Sequence, residues 1–195
     1  MKTTHTYGET VSAEAYTSEL QFHQYIPQAD AAILDEIIRY QSRAAHPITV
    51  LDLGMGPGRL TRRIAELPGV TVVGLDNSPD FVAAATSRNV PAICTYICAD
   101  FLEHTPAQHY DVILMQGVWH HVPLSGRTRW LTHISEILHD DGVLIVGDEY
   151  IPQYSSEAER AARVGLFYAH IIGEAVQIQN YGLARNESLN FLADT

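Results

Sequence analysis

The segment Asp52-Leu53-Gly54-Met55-Gly56-Pro57-Gly58 puts a carboxylate ahead of three glycines at alternate positions. A β-branched and leucine run precedes it, and a helical pattern opening at Arg59-Leu60-Thr61 follows. Glycines so spaced let a backbone approach a ligand with no Cβ in the way, and a helix start offers N–H groups to polar or anionic ligand parts. The pattern describes a nucleotide-type site. The dinucleotide fingerprint Gly-x-Gly-x-x-Gly needs its third glycine where Arg59 stands, and here that glycine comes one place early, at Gly58. Further along the chain stand Asp76-Asn77, Asp100-Phe101, Gln116-Gly117 and His120-His121. A neutral imidazole suits proton removal near neutral pH, which makes His121 or His120 the candidate general base, with Glu149 a weaker alternative.

Those residues do chemistry together only if the fold gathers them. Ile48 to Leu53 reads as a first strand, and Leu60, Ile64 and Leu67 form the buried stripe of a crossover helix stopped by Pro68-Gly69. Val70 to Leu75 is a second strand, and Asn77-Ser78-Pro79 caps a helix running through about Arg88. Ala92 to Cys98 is a third strand, and Tyr110 to Gln116 is a fourth, apolar enough to be covered on both faces. A helix carrying Trp130, Leu131, Ile134, Ile137 and Leu138, capped by Ser125, leads through the turn Asp140-Asp141-Gly142 into a fifth strand, Val143 to Gly147. Ahead of the sheet, Asp30 is expected to cap a helix that carries Ile33, Leu34, Ile37 and Ile38. Behind it, Ser156-Glu157-Ala158-Glu159 reads as a capping box for a helix with Val164, Phe167, Tyr168, Ile171 and Ala175 on one face. Strands alternating with helices at this spacing predict an α/β fold, a doubly wound and mainly parallel Rossmann-like sheet. One domain is expected over 1–195, with an N-terminal helical cap at 1–45, a core at 46–150 and a helical segment at 151–195.

In such a sheet ligands bind outside the carboxyl ends of the strands, where strand order reverses. Asp76 then offers a bidentate acceptor for a ribose diol, and Asp100 with Phe101 offers an acid and an aromatic for adenine. Asp76 serves equally well as a cap for the next helix, Asp100 as a turn residue, and His121 as a loop histidine. From the glycine turn to the fifth strand, roughly Ile48 to Gly147, the series resembles the class I S-adenosylmethionine-dependent methyltransferases. The resemblance implies that Gly54, Gly56 and Gly58 turn around the amino-acid portion of the cofactor while Asp52 orients it. It also implies that Asp76, with Asn77 beside it, takes the ribose, that Asp100 and Phe101 hold adenine, and that Gln116 and Gly117 line the channel to the methyl group. The expected cofactor is S-adenosyl-L-methionine and the expected reaction is methylation of a small molecule. Members of this family usually close the sheet with an antiparallel strand pair, for which the segment after Gly147 shows no pattern; either the chain stops short of it or the variant is compact. The family builds its acceptor pocket from the segments flanking the core, which here contribute Tyr7, Tyr16, Phe22, Tyr25, Tyr150, Tyr154, Phe167 and Tyr168. These aromatics either line such a pocket or serve as ordinary packing and amphipathic surface.

Composition narrows the alternatives. With 195 residues, 46% hydrophobic and 18% charged, the chain can bury one sizeable core. Twelve basic against 23 acidic residues leave a formal charge of −11, which disfavours a long nucleic acid as partner. No apolar run has the length of a membrane span and the opening lacks a signal-peptide core, so a cytoplasmic location and no membrane partner are expected. The two cysteines, Cys94 and Cys98, lie on one strand about 13 Å apart, too far for a disulfide, and read as free buried thiols. Ten histidines lack any metal-ligand spacing, so no metal is expected; a homo-oligomer is compatible with an uncovered sheet edge. Two rival readings remain: a nicotinamide-dependent oxidoreductase, which Arg59 disfavours, and a non-catalytic cofactor-binding or scaffold protein.

Overall fold

The computed structural model describes residues 12–20, 25–88, 92–148, 150 and 152–177, together with 179, 181, 184, 185 and 188. The chain divides into two compact units, Met1–Asp148 and Glu149–Thr195.

In the first unit, α1 (Ala13–Leu20) and α2 (Ile26–Gln41) precede the sheet. Then β1 (Ile48–Leu53), α3 (Arg59–Ala65), β2 (Val70–Asp76), α4 (Pro79–Thr86) and β3 (Cys94–Cys98) alternate, followed by β4 (Tyr110–Gln116), α5 (Leu124–Ile137) and β5 (Leu138–Gly147). All pairings are parallel and the order is β3-β2-β1-β4-β5. The chain therefore winds outward from β1 to β3 and crosses back, which leaves the switch point between β1 and β4.

Alternation along β1 splits the core between the two faces of the sheet. Ile48 and Val50 pack with Ile33 and Ile37 of α2 and Leu60 and Ile64 of α3. Leu51 and Leu53 belong to the opposite cluster, with Phe101, Ile113, Met115, and Ile134 and Ile137 of α5. Both faces being covered explains the unbroken apolar character of β4, buried from Tyr110 through Met115.

Several local expectations change. Helix α2 starts at Ile26 rather than at Asp30, because Pro27 fits the first turn and leaves Asp30 inside the helix. Asp30 then falls in the buried stripe Ile26, Asp30, Ile33, Ile37, Tyr40, which places a carboxylate where an apolar residue is the rule. Ser125 lies inside α5, whose N-cap is Pro123, and Ser78 caps α4 as anticipated. The sequence 138–142 is not a turn: β5 begins at Leu138, and its pairing passes from Tyr110↔Leu138 to Val112↔Val143, so five steps on β5 match two on β4. The excess residues bulge at Gly142, where a Cβ would come within 3.0 Å of the His139 carbonyl oxygen. Cys94 is buried but Cys98 is exposed, contrary to the expected pair of buried thiols, because it sits at the strand's last position.

Among the described residues no strand follows β5. In the second unit, α6 (Glu157–Gln177) buries Val164, Tyr168, Ile171 and Ala175 along one face. Its cap is a variant of the expected box: the Glu159 N–H donates to Ser156 Oγ at 3.2 Å, and the Glu159 carboxylate reaches back to Ser155. No described helix is long and apolar enough to cross a membrane.

Candidate active site

The turn after β1 is held from below. The N–H groups of Gly54 and Met55 both donate to the Leu75 carbonyl, at 2.8 and 3.2 Å, and the Gly56 N–H donates to Asp76 Oδ2 at 2.8 Å. These turn N–H groups are spent inside the fold. Glycine is required at 54 on two counts. Its φ is +67°, and a Cβ there would stand 2.5 Å from Val118 Cγ2, in the loop leaving β4.

Two carboxylates support this turn. Asp52, 3% exposed, accepts from Thr61 Oγ1 at 2.6 Å, so the last buried residues of β1 are tied to α3. Burial pushes its carboxyl up to about 6; the Thr61 bond opposes that, and the nearby Asp76 charge adds to it. Asp76, 7% exposed, accepts from the N–H groups of Gly56 and Ser78, both at 2.8 Å, so it joins the end of β2 to the glycine turn and to the start of α4. Burial raises its pKa, and the N–H groups of Ser78, Gly56 and Asn77 moderate the rise. Asn77 is exposed beside it.

At the end of β3 the two expected residues part company. Asp100 is exposed and accepts from the Leu102 N–H at 2.8 Å, capping a short 3-10 turn. Phe101 is 4% exposed, with its ring 4.6 Å from that of Trp130 and 4.9 Å from that of His133. This ring belongs to the core below α5, a correction to the expectation that it packs on adenine.

The end of β4 is organised by a residue the sequence had placed as a helix cap. Asp30 receives the guanidinium groups of Arg59 and Arg63, and the Gln116 side-chain amide donates to it at 3.1 Å. Arg59 Nη2 also reaches Gln116 Oε1 at 3.4 Å. Burial pushes the Asp30 pKa up, but the bonds and charge from Arg59, with those from Gln116 and Arg63, outweigh it and leave the carboxyl below its usual value. Arg59 Nε is buried without a hydrogen-bond partner. Gly117 has φ +65°, and a Cβ there would meet nothing within 4 Å. The unpartnered Arg59 Nε is a donor of the kind that the carboxylate of an adenosyl amino acid satisfies.

Beyond Gly117 the chain makes a 3-10 turn over Trp119–His121. Asp148, just past β5, accepts from the His120 backbone N–H at 3.0 Å and lies 2.6 Å from His120 Nδ1. The His120 and His121 rings are 3.9 Å apart, and Arg127 stacks over Trp119 at 5.0 Å. Glu149, Tyr7 and Phe22 lie outside the described residues. Tyr16 packs on Phe81 at 5.2 Å and its ring comes within 3.3 Å of where a Cβ on Gly56 would stand, which puts α1 against the glycine turn. Tyr25, Tyr150 and Tyr154 are exposed, and Phe167 lies edge-on to Tyr168 at 5.3 Å. Among the described residues no cluster of three or more His, Cys, Asp or Glu could hold a metal.

Residues 50–142 match a family described as a methyltransferase domain. The trans-aconitate 2-methyltransferase of Streptomyces avermitilis is 36% identical over 108 residues, 51% of this chain and 40% of that protein. A protein of the same name from Mycobacterium tuberculosis is 40% identical over 75 residues, 38% of this chain and 27% of the relative. The chain thus spans under half the length of these relatives. Among solved structures, the plantazolicin methyltransferase BpumL in complex with a pentazolic desmethylPZN analog and SAH aligns with TM-score 0.59 at 18% identity, covering 83% of this chain and 68% of that one. A SAM-dependent methyltransferase from Geobacter sulfurreducens in complex with S-adenosyl-L-homocysteine aligns with TM-score 0.55 at 24% identity, covering 72% and 55%. These two likenesses concern the fold.

Proposed function

We propose that residues 50–142, which match a methyltransferase-domain family, form a class I S-adenosylmethionine-dependent methyltransferase core, and that the protein transfers a methyl group from S-adenosylmethionine to a small-molecule acceptor. The observation that carries the reading is the bond from the Gly56 N–H to Asp76, which ties the carboxylate at the end of β2 to the glycine turn at the switch point. The cofactor supplies an already activated methyl on a sulfonium, so the chain's own work is to bind, orient and exclude water. Asp76, with Asn77 next to it, holds the ribose hydroxyls, and Asp52 orients the amino-acid portion around Gly54, Gly56 and Gly58. Asp100 lies on the adenine side, while Gln116, fixed by Asp30, and Gly117 border the methyl channel. His120 or His121 stands where an acceptor proton would be taken. A single domain, a cytoplasmic location and a homo-oligomer complete the proposal. The relatives named for trans-aconitate put a polycarboxylic acid among the acceptors to try.

Calorimetry on the full chain tests the cofactor assignment. Micromolar binding of S-adenosylhomocysteine, weakened by about 1.5–3 kcal/mol in Asp76→Ala as hydrogen bonds to a charged acceptor are lost, is the expected result. Binding of NADH with no heat from S-adenosylhomocysteine would replace it with the oxidoreductase reading.

A further inference from the structure

Asp148 gives both carboxylate oxygens to one residue, Oδ2 to the His120 backbone N–H at 3.0 Å and Oδ1 to His120 Nδ1 at 2.6 Å. Its side chain is 2% exposed, whereas that of His120 is 45% exposed, so a buried anion backs a half-exposed imidazole. A carboxylate can only accept, which places the proton on Nδ1 and leaves Nε2 as the basic nitrogen of the ring. The adjoining His121 ring lies 3.9 Å away. Among the described residues, the Arg127 guanidinium of α5 stacks over Trp119.

Resting on the methyltransferase reading above, we propose that Asp148 is the positioning residue of a His120–Asp148 pair that deprotonates a protic acceptor, a hydroxyl or an amine rather than a carboxylate. A carboxylate is already ionised at neutral pH and has no proton for a base to remove, whereas phenols, alcohols and ammonium groups must lose one before they are nucleophilic. In the step, His120 Nε2 takes the acceptor's proton while the acceptor lone pair forms the new bond to the methyl carbon. The methyl–sulfur bond breaks, its electron pair stays on sulfur, and the neutral thioether S-adenosylhomocysteine leaves. Asp148 stabilises the imidazolium, which then returns its proton to solvent.

Asp148→Asn separates this role from simple capping of the Trp119–His121 turn. The amide oxygen can still accept the His120 backbone N–H, but the amide NH₂ then faces Nδ1, turns it into an acceptor and moves the ring proton to Nε2. The test reads the His120 tautomer by ¹⁵N NMR, S-adenosylhomocysteine affinity by calorimetry, and turnover of S-adenosylmethionine with catechol, a primary arylalkylamine and trans-aconitate. The expected result is an Nδ1–H tautomer in the native chain and Nε2–H in Asp148→Asn, with cofactor affinity within twofold. With it comes a loss of about 100-fold in kcat on the protic acceptor and of the rise in rate with pH that a base produces. An Nε2–H tautomer in the native chain overturns the proposal even if none of the three acceptors reacts. So does trans-aconitate turned over equally by both proteins, or an unchanged pH profile on catechol or the amine. Failure of the native chain to bind S-adenosylhomocysteine would instead strike the methyltransferase reading itself.

Discussion

The two halves of the sheet meet at the switch point and are built on different principles. On the β1–β2–β3 side, the groups that shape the site bond to near neighbours in sequence. Asp52 pairs with Thr61, Asp76 with Gly56 and Ser78, and Asp100 with Leu102, and all of these partners lie within 20 positions. On the β4–β5 side the partners are remote: Gln116 is 86 positions from Asp30, Arg59 is 57 from Gln116, and His120 is 28 from Asp148. The first half is a strand–turn–helix device that would work wherever it was placed. The second exists only after α2, α3, β4 and β5 have assembled.

That difference decides what could be read from the residues alone. Strands β1 and β4 emerge with their observed bounds because both-face burial writes an unbroken apolar run, and the glycine turn emerges because no other residue adopts its backbone cheaply. Asp30 looked like a helix cap, since an aspartate ahead of an apolar stripe usually is one; only the packing of α2 shows that it lies within the stripe and receives Arg59 and Arg63. Its signal was there in part: the cap at Asp30 competed with Pro27, which favours a helix start three residues earlier. Asp148 had no local signal at all. Phe101 was misplaced because an aromatic at a strand end reads the same whether it faces the ligand or α5, and Trp130 and His133 settle that only in three dimensions.

The sharpest way to break the contrast is Gly54→Ala. A left-handed backbone costs an alanine about 1–2 kcal/mol, and forcing Cβ against Val118 adds about 1–3 kcal/mol. The expected outcome is a loss of about 3 kcal/mol in urea unfolding at constant m, with S-adenosylhomocysteine binding abolished. Tolerance of alanine would mean that the turn is not the rigid part of the site.

A second test uses pH. The folded-state pKa of Asp52, about 6, lies above the ordinary 3.8, so the folded state holds this proton more tightly than the unfolded chain. The stabilisation is fully present below pH 3.8 and is lost as pH rises through about 6; a two-unit shift corresponds to about 3 kcal/mol. Asp76, also raised, acts in the same direction. Asp30 and Glu159 are lowered and act oppositely, but only as pH falls below their ordinary values of 3.8 and 4.5. The melting temperature of the ligand-free protein should therefore climb from pH 7 to pH 5, and Asp52→Asn should flatten the climb. An equal slope in the variant would remove Asp52 as its source.

Asp30→Ala probes the long-range half. It leaves Arg59, Arg63 and Gln116 without their common acceptor, but the two arginine side chains are 32% and 41% exposed, so solvent recovers part of the loss. About 2 kcal/mol of stability should disappear. A double-mutant cycle with Gln116→Ala should show coupling of about 0.5 kcal/mol or more, while Asp52 with Asp30 should be nearly additive. Strong coupling in the second cycle and none in the first would erase the boundary between the halves.

The smallest effect is the most discriminating. Gly117 shares its left-handed φ, +65°, with Gly54, but a Cβ at 117 meets nothing within 4 Å. Gly117→Ala should therefore cost only the backbone component, about 1 kcal/mol, and leave the melting transition otherwise intact. The new methyl would, however, project into the space proposed to lead toward the reactive carbon. Cofactor affinity should fall modestly and turnover more, so that kcat is lost beyond what binding explains. If Gly117→Ala instead destabilised the fold as much as Gly54→Ala, the open space at the end of β4 would be packed volume rather than a channel.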